Sequence, residues 1–265
     1  MITLDAALAA LRAEADPKIA AREYASLKTD REILGLRVAR ITELAGEWRA
    51  EMDLSERLYL AQALWQSDIH EARIAAAKLL TQARIRPDDS GAWDLIVSFL
   101  PDFDNWAIAD HMADAGARRV IADLARLDQI EEWLNSEHMW TRRAALMMTA
   151  PLARLNNLKP HEAAARARVL DWAAYLVAER DANIQRAIAW WIRDLSKHDA
   201  AAAAAFLEKH AYVMKAFARK EASQYLPNNE IYLNPPEPEL PEFDEPEEDL
   251  PGIDPRTTGF LTEEE

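Results

Sequence analysis

Residues 181–197 read DANIQRAIAWWIRDLSK. Ile184, Ile188, Trp191 and Leu195 fall at i, i+4, i+7 and i+11, the apolar stripe of an α-helix predicted over 182–197. Arg186, Trp190, Arg193 and Lys197 repeat that spacing two residues on, about 200° round the helix. The helix therefore pairs a core face with an opposite face that presents three cations around one indole. Cations suit phosphates, and an indole face suits a sugar, a base or a cation.

Similar helices fill the chain as far as residue 226. Ala, Leu, Arg and Glu dominate and internal breakers are few. Helices are predicted near 3–15, 17–28, 36–51, 54–66, 69–85, 91–100, 105–115, 118–134, 137–154, 160–179, 182–197, 200–212 and 214–226. Asp16-Pro17 supplies a cap followed by Pro at the first helical position. Asp53–Glu56 and Asp68–Glu71 have capping-box spacing. No stretch alternates as a strand would. Many short helices with tight connections imply an all-α fold of paired antiparallel helices stacked in a row, a HEAT-like helical-repeat solenoid. A compact helical bundle is the alternative.

The composition excludes several classes of protein. The 265 residues contain no Cys, which excludes a disulfide framework, a thiol nucleophile and an iron–sulfur cluster. Six Gly argue against glycine-rich nucleotide loops. The six His are scattered without ligand spacing, so neither a metal nor a cofactor is expected. No apolar run approaches the ~18 residues of a membrane span, and the N-terminus has no basic leader region. A soluble, cytoplasmic, monomeric protein is expected.

The net charge of −15 is unevenly spread. Residues 227–265 hold 13 acids and one base, Arg256, whereas residues 1–226 carry only −3. Such a body can bear a basic stripe. The Pro-rich, acidic segment lacks the aliphatics to offset ordering entropy, so two regions are expected: a helical domain over 1–226 and a disordered tail over 227–265.

Two more helices carry candidate chemistry. In NWAIADHMADA (105–115), Ile108, Met112 and Ala115 form the core stripe, while Trp106 and Asp110 lie on the other side. In HMWTRRAALMMTAPLARL (138–155), Trp140, Ala144, Met147 and Met148 read as core. Arg142 points most directly away from Trp140, with Arg143 on the flank, so periodicity favours Arg142 as the outward cation.

The ordered set of LGLRVARITELAGEW (34–48), LWQSDIHEARIAAAKLL (64–80), Trp106–Asp110, Trp140–Arg143, QRAIAWWIRDLSKHD (185–199) and FARKEASQYL (217–226) resembles the AlkD-type DNA alkylation repair family. These are alkylpurine DNA glycosylases built of HEAT-like repeats. The resemblance implies a concave DNA-binding cleft and excision of cationic N3- and N7-alkylated purines from duplex DNA. It matches Asp110 to the catalytic carboxylate, and Trp106 and Trp190 to the aromatics beside the lesion's deoxyribose. It matches Arg143, rather than Arg142, and Arg193 to cations of the cleft. Arg186, Lys197 and Arg142 join them as DNA-binding candidates from their helix positions. One departure is Ala189, where the family often has Gly before its Trp.

The implied chemistry suits these residue types. An alkylated purine is a charged leaving group, and cleavage of its glycosidic bond leaves oxocarbenium character on the sugar. A fixed carboxylate stabilises that cation and orients water, and indole faces attract it. Enzymes acting on a base usually flip it into a pocket, but this family engages the backbone instead. No lysine shares the three helix faces near Asp110, so a monofunctional enzyme without a lyase step is expected. The alternatives are a DNA-binding relative without catalysis and a protein-binding HEAT-type scaffold.

Overall fold

A computed structural model describes residues 2–236. Those residues form fourteen α-helices and five 3-10 turns, with no strand among them. The helices are α1 (Leu4–Ala13), α2 (Pro17–Leu27), α3 (Val38–Ala50), α4 (Leu54–Gln66), α5 (His70–Leu80), α6 (Ser90–Ser98) and α7 (Trp106–Ala122). After them come α8 (Leu127–Glu132), α9 (Met139–Met148), α10 (Ala150–Arg154), α11 (Pro160–Leu176), α12 (Ala182–Ser196), α13 (Ala200–His210) and α14 (Ala216–Ala222).

One row of helices carries the architecture: α3 packs on α5, α5 on α7, α7 on α9, α9 on α12 and α12 on α14. A second layer covers it, with α4 against α5, α6 against α7 and α13 against α12. Close contact runs between successive members of the row, as in a helical-repeat stack rather than a bundle. The core between the layers is continuous from Leu11 through Trp65, Met112 and Trp191 to Leu226.

Local chemistry explains where helices start. Asp16 Oδ1 accepts from Lys18 N at 2.8 Å, with Pro17 opening α2. Asp53 and Glu56 close a reciprocal capping box at 2.9 and 3.0 Å. The capping box expected at Asp68–Glu71 does not form. Ile69 is the N-cap of α5, Asp68 has a positive φ, and Glu71 is fully buried. The Glu71 carboxylate instead accepts the backbone N–H groups of Leu34 (2.9 Å), Gly35 (2.6 Å) and Leu36 (3.2 Å). This anchors the loop before α3, where Gly35 adopts φ +85° and a Cβ would sit 2.2 Å from the Asp16 carbonyl oxygen.

Several predicted helix boundaries also move: the helix predicted over 69–85 ends at Leu80, and two other changes have a local cause. The break predicted after residue 115 is absent, because α7 runs unbroken through Gly116 to Ala122. The missing side chain there admits Met148 of α9, whose sulfur would lie 2.4 Å from a Cβ. The helix predicted over 137–154 divides at Thr149 into α9 and α10. Thr149 Oγ1 donates back to Ala145 O and Leu146 O at 2.9 and 3.0 Å, and Pro151 lacks the N–H that a continuous helix needs.

Beyond α14, Asn229–Tyr232 form a 3-10 turn and Tyr232 is buried in the core. The remainder of the expected tail, from residue 237, lies outside the described residues.

Candidate active site

The site begins at the N-terminus of α7. Asn105, almost fully buried, accepts from Ala107 N (3.0 Å) and Ile108 N (3.2 Å). This cap fixes Trp106 as the first helical residue, 48% exposed, and puts Asp110 one turn further along.

Asp110 meets α9. Arg143 Nε donates to Asp110 Oδ1 at 3.1 Å, and Nη2 donates to Oδ1 and Oδ2, each at 2.9 Å. Arg143 Nη1 donates to the Asn183 carbonyl at 2.5 Å, tying the pair to the start of α12. Every guanidinium nitrogen of Arg143 therefore has a protein acceptor. The side chain is only 1% exposed, whereas that of Asp110 keeps 20% of its surface open. Trp190 of α12 completes the group, its ring centroid 5.3 Å from Arg143 Cζ. Three neighbouring helices of the row thus bring together Asp110, Arg143 and Trp190, with Trp106 a turn away on α7. Ala189 is fully buried beside Trp190.

The electrostatics are balanced. Burial pushes the Asp110 carboxyl above the ordinary aspartate range, and the Arg143 cation pulls in the other direction. Asp114 adds to the upward push and Arg186 opposes it.

The remaining candidates divide. Arg142, the outward cation by periodicity, is committed elsewhere. Its Nε and Nη2 each hold Glu179 at 2.8 Å, and its Nη1 donates to Ser136 O at 2.6 Å and Glu137 O at 3.0 Å. Arg186 is exposed and stacks on Phe217 at 5.5 Å. With Trp190, Phe217 and Lys220 it lines a cavity of about 520 Å³. Arg193 is paired with Glu221 and lies 3.4 Å from Asp194. Lys197 lies 3.5 Å from Asp194 and 4.5 Å above the Tyr225 ring. The stripe of three cations is therefore open at Arg186 and locally balanced at Arg193 and Lys197.

Sequence reading missed the surroundings of Trp106. Leu27, Leu36, His70, Ile74 and His111 join it around a mostly apolar cavity of about 490 Å³. Burial, helped by Lys78 and His70, holds the His111 imidazole down at about 4. These residues come from α2, α5 and α7 and the loop before α3, so no local pattern marks them. Among the described residues no group of three or more His, Asp or Glu could hold a metal ion. No described helix is long and apolar enough to cross a membrane.

Comparison with known proteins agrees with this architecture. The family described as "DNA alkylation repair enzyme" matches residues 7–226. A solved structure described as a predicted DNA alkylation repair enzyme from Enterococcus faecalis is 20% identical, with a TM-score of 0.67; the match covers 81% of this chain and 97% of that one. AlkD2 from Streptococcus mutans is also 20% identical, with a TM-score of 0.56, covering 78% of this chain and 98% of its own. The smu.31 protein from Streptococcus mutans UA159 is 19% identical, with a TM-score of 0.55 and coverages of 72% and 93%. At these identities the structures speak for the fold. Among curated proteins, none matches significantly.

Proposed function

The chain belongs to the DNA alkylation repair enzyme family, and on that footing we propose that it is a monofunctional DNA glycosylase acting on cationic N3- and N7-alkylated purines in duplex DNA. The observation that carries this reading is the Asp110 carboxylate, clamped on both oxygens by Arg143 beside Trp190 yet still partly open.

The chemistry follows from that clamp. The alkylated purine leaves with its bonding electrons, and positive charge grows at the sugar C1′ and ring oxygen. Asp110 supplies a fixed negative charge at that cation and orients the attacking water. The faces of Trp106 and Trp190 attract the same cation and flank the sugar. Arg143 is a positioning residue: it prevents the carboxylate from turning away, so little reorganisation is needed as charge develops. The polar partners of Asp110 all lie on Arg143, with no lysine among them, in keeping with hydrolysis rather than Schiff-base chemistry. The protein binds the duplex as a monomer, with Arg186 on the open side of α12 toward the backbone.

The test is release of N7-methylguanine from methylated duplex DNA by the purified full chain. Time-dependent release of the free base, leaving abasic sites without strand scission, is the expected result. No release above the spontaneous rate excludes the glycosylase, and concurrent scission excludes the monofunctional assignment.

A further inference from the structure

At the opposite end of the helix row from α12 lies a pocket that the excision chemistry does not use. It is about 630 Å³ and opens between the C-terminal ends of α3 and α5 and the start of α4. Arg49, Arg57 and Arg86 line it, with Thr81 and Gln82, and no carboxylate does.

Arg57 is the unusual member. It is only 6% exposed, yet no carboxylate pairs with it. Its Nη1 donates to the side-chain oxygen of Gln82, and its Nε is occluded without any partner. Its Nη2 makes no hydrogen bond within the protein and is not occluded. The charges that act on it are those of Arg49 and Arg119, which together with burial push its pKa down. The contrast with Arg119 is instructive. Arg119 is also buried but has Asp89 at 2.7 Å, and that carboxylate is shared with Arg126. A buried cation is costly when uncompensated, and proteins ordinarily supply a counter-charge. Around Arg57 the chain supplies two more cations instead.

We propose that Arg49, Arg57 and Arg86 form a seat for a phosphate group. Planar guanidinium forks match phosphate oxygens in charge and geometry, and Thr81 adds a hydroxyl. The seat also leads somewhere. Thr81 and Ala83 line a second groove that contains Arg118 and Asp114, and Asp114 stands one helical turn from Asp110. A backbone phosphate of a duplex lying along the row is one source of the group, and a free phosphorylated small molecule is the other. The inference does not depend on the glycosylase reading, because its readouts involve no excision.

The experiment compares the full-length wild type with Arg57→Met and with the double variant Arg49→Gln/Arg86→Gln. Binding of inorganic phosphate is followed by thermal shift against potassium chloride at matched ionic strength. Undamaged-duplex affinity is measured across a salt series. Phosphate should stabilise the wild type, and its binding should weaken about tenfold or more in each variant, as expected for loss of a charge-assisted contact. Arg57→Met tests whether the arginine is merely structural: it should keep its stability in chloride while losing the phosphate response. If the seat takes a DNA phosphate, the plot of log affinity against log salt should also flatten by about 0.9 in the variants. Loss of the phosphate response with an unchanged salt slope assigns the seat to a free phosphorylated ligand. An unchanged slope overturns the proposal when phosphate either fails to stabilise the wild type or stabilises both variants equally.

Discussion

Arg143 and Asp110 are 33 positions apart in sequence, yet the guanidinium of one holds both carboxylate oxygens of the other at 2.9 Å. Because Arg143 is buried and its third nitrogen is tied to Asn183 O, the carboxylate has one orientation. Arg143 is thus a partner of Asp110.

Arg143→Lys should therefore lower excision more than binding. A lysine keeps the charge but loses the two-pronged geometry, so single-turnover excision should fall about tenfold or more. Affinity for undamaged duplex should barely move. An affinity loss that parallels the rate loss would show Arg143 acting on the backbone instead.

Acid should silence the enzyme through Asp110. The ionised form is the one that stabilises a cation, and burial raises its pKa. Excision should therefore decline with falling pH at values above the ordinary aspartate range, and be flat above that limb. The pH profile of single-turnover release checks this. In Asp110→Asn the residual rate should lack the acidic limb.

Arg186 should contribute more to DNA affinity than Arg193 or Lys197. Arg186 is exposed and makes no ion pair among the described residues, the Glu221 that shares its cavity being bonded to Arg193, whereas Arg193 and Lys197 are balanced by Glu221 and Asp194. Arg186→Ala should reduce the salt slope of duplex binding by about 0.9, with smaller changes for Arg193→Ala and Lys197→Ala. Equal slopes for the three variants would argue that DNA displaces Glu221 and Asp194.

Asp89 should stabilise the fold in a pH-dependent way. Its hydrogen bond from Arg126, with the nearby charge of Arg119, holds its carboxyl below the ordinary range. The folded pKa is thus below the unfolded one, so the stabilisation is complete above the unfolded value and is lost as pH falls through the folded value. Asp89→Ala leaves Arg119 buried without a carboxylate and should cost about 3 kcal/mol at neutral pH, narrowing in acid. Chemical denaturation at neutral and at acidic pH checks both statements.

These sites show which signals a sequence carries locally. Asp53 and Glu56 satisfy each other three residues apart, so their cap was legible. Asp68 and Glu71 share that spacing, but Glu71 is drawn to N–H groups at 34–36, which no local pattern reveals. Periodicity reads Arg142 as the more outward of the two arginines, and it is, at 18% side-chain exposure against 1%, but periodicity gives no sign of what Arg143 reaches. A helix with one core face should expose the residue opposite Trp140, but α9 packs against both α7 and α12. Burial follows those two neighbours, leaving Trp140 half-buried and Arg143 enclosed. The resemblance matches Arg143 to a cation of the cleft; its contact with Asp110 is a finding of the structure. Neither route marked Asp194 and Glu221 as partners of the α12 cations.

The most direct test of the proposed catalysis is single-turnover release of N7-methylguanine by Asp110→Asn beside the wild type, with folding checked by circular dichroism. Removing a fixed charge aimed at a cationic transition state costs on the order of 3 kcal/mol, so the rate should drop about a hundredfold with the fold intact. A folded Asp110→Asn variant that excises within about threefold of wild type, a difference of under ~1 kcal/mol, would contradict the assignment of Asp110 as the catalytic carboxylate.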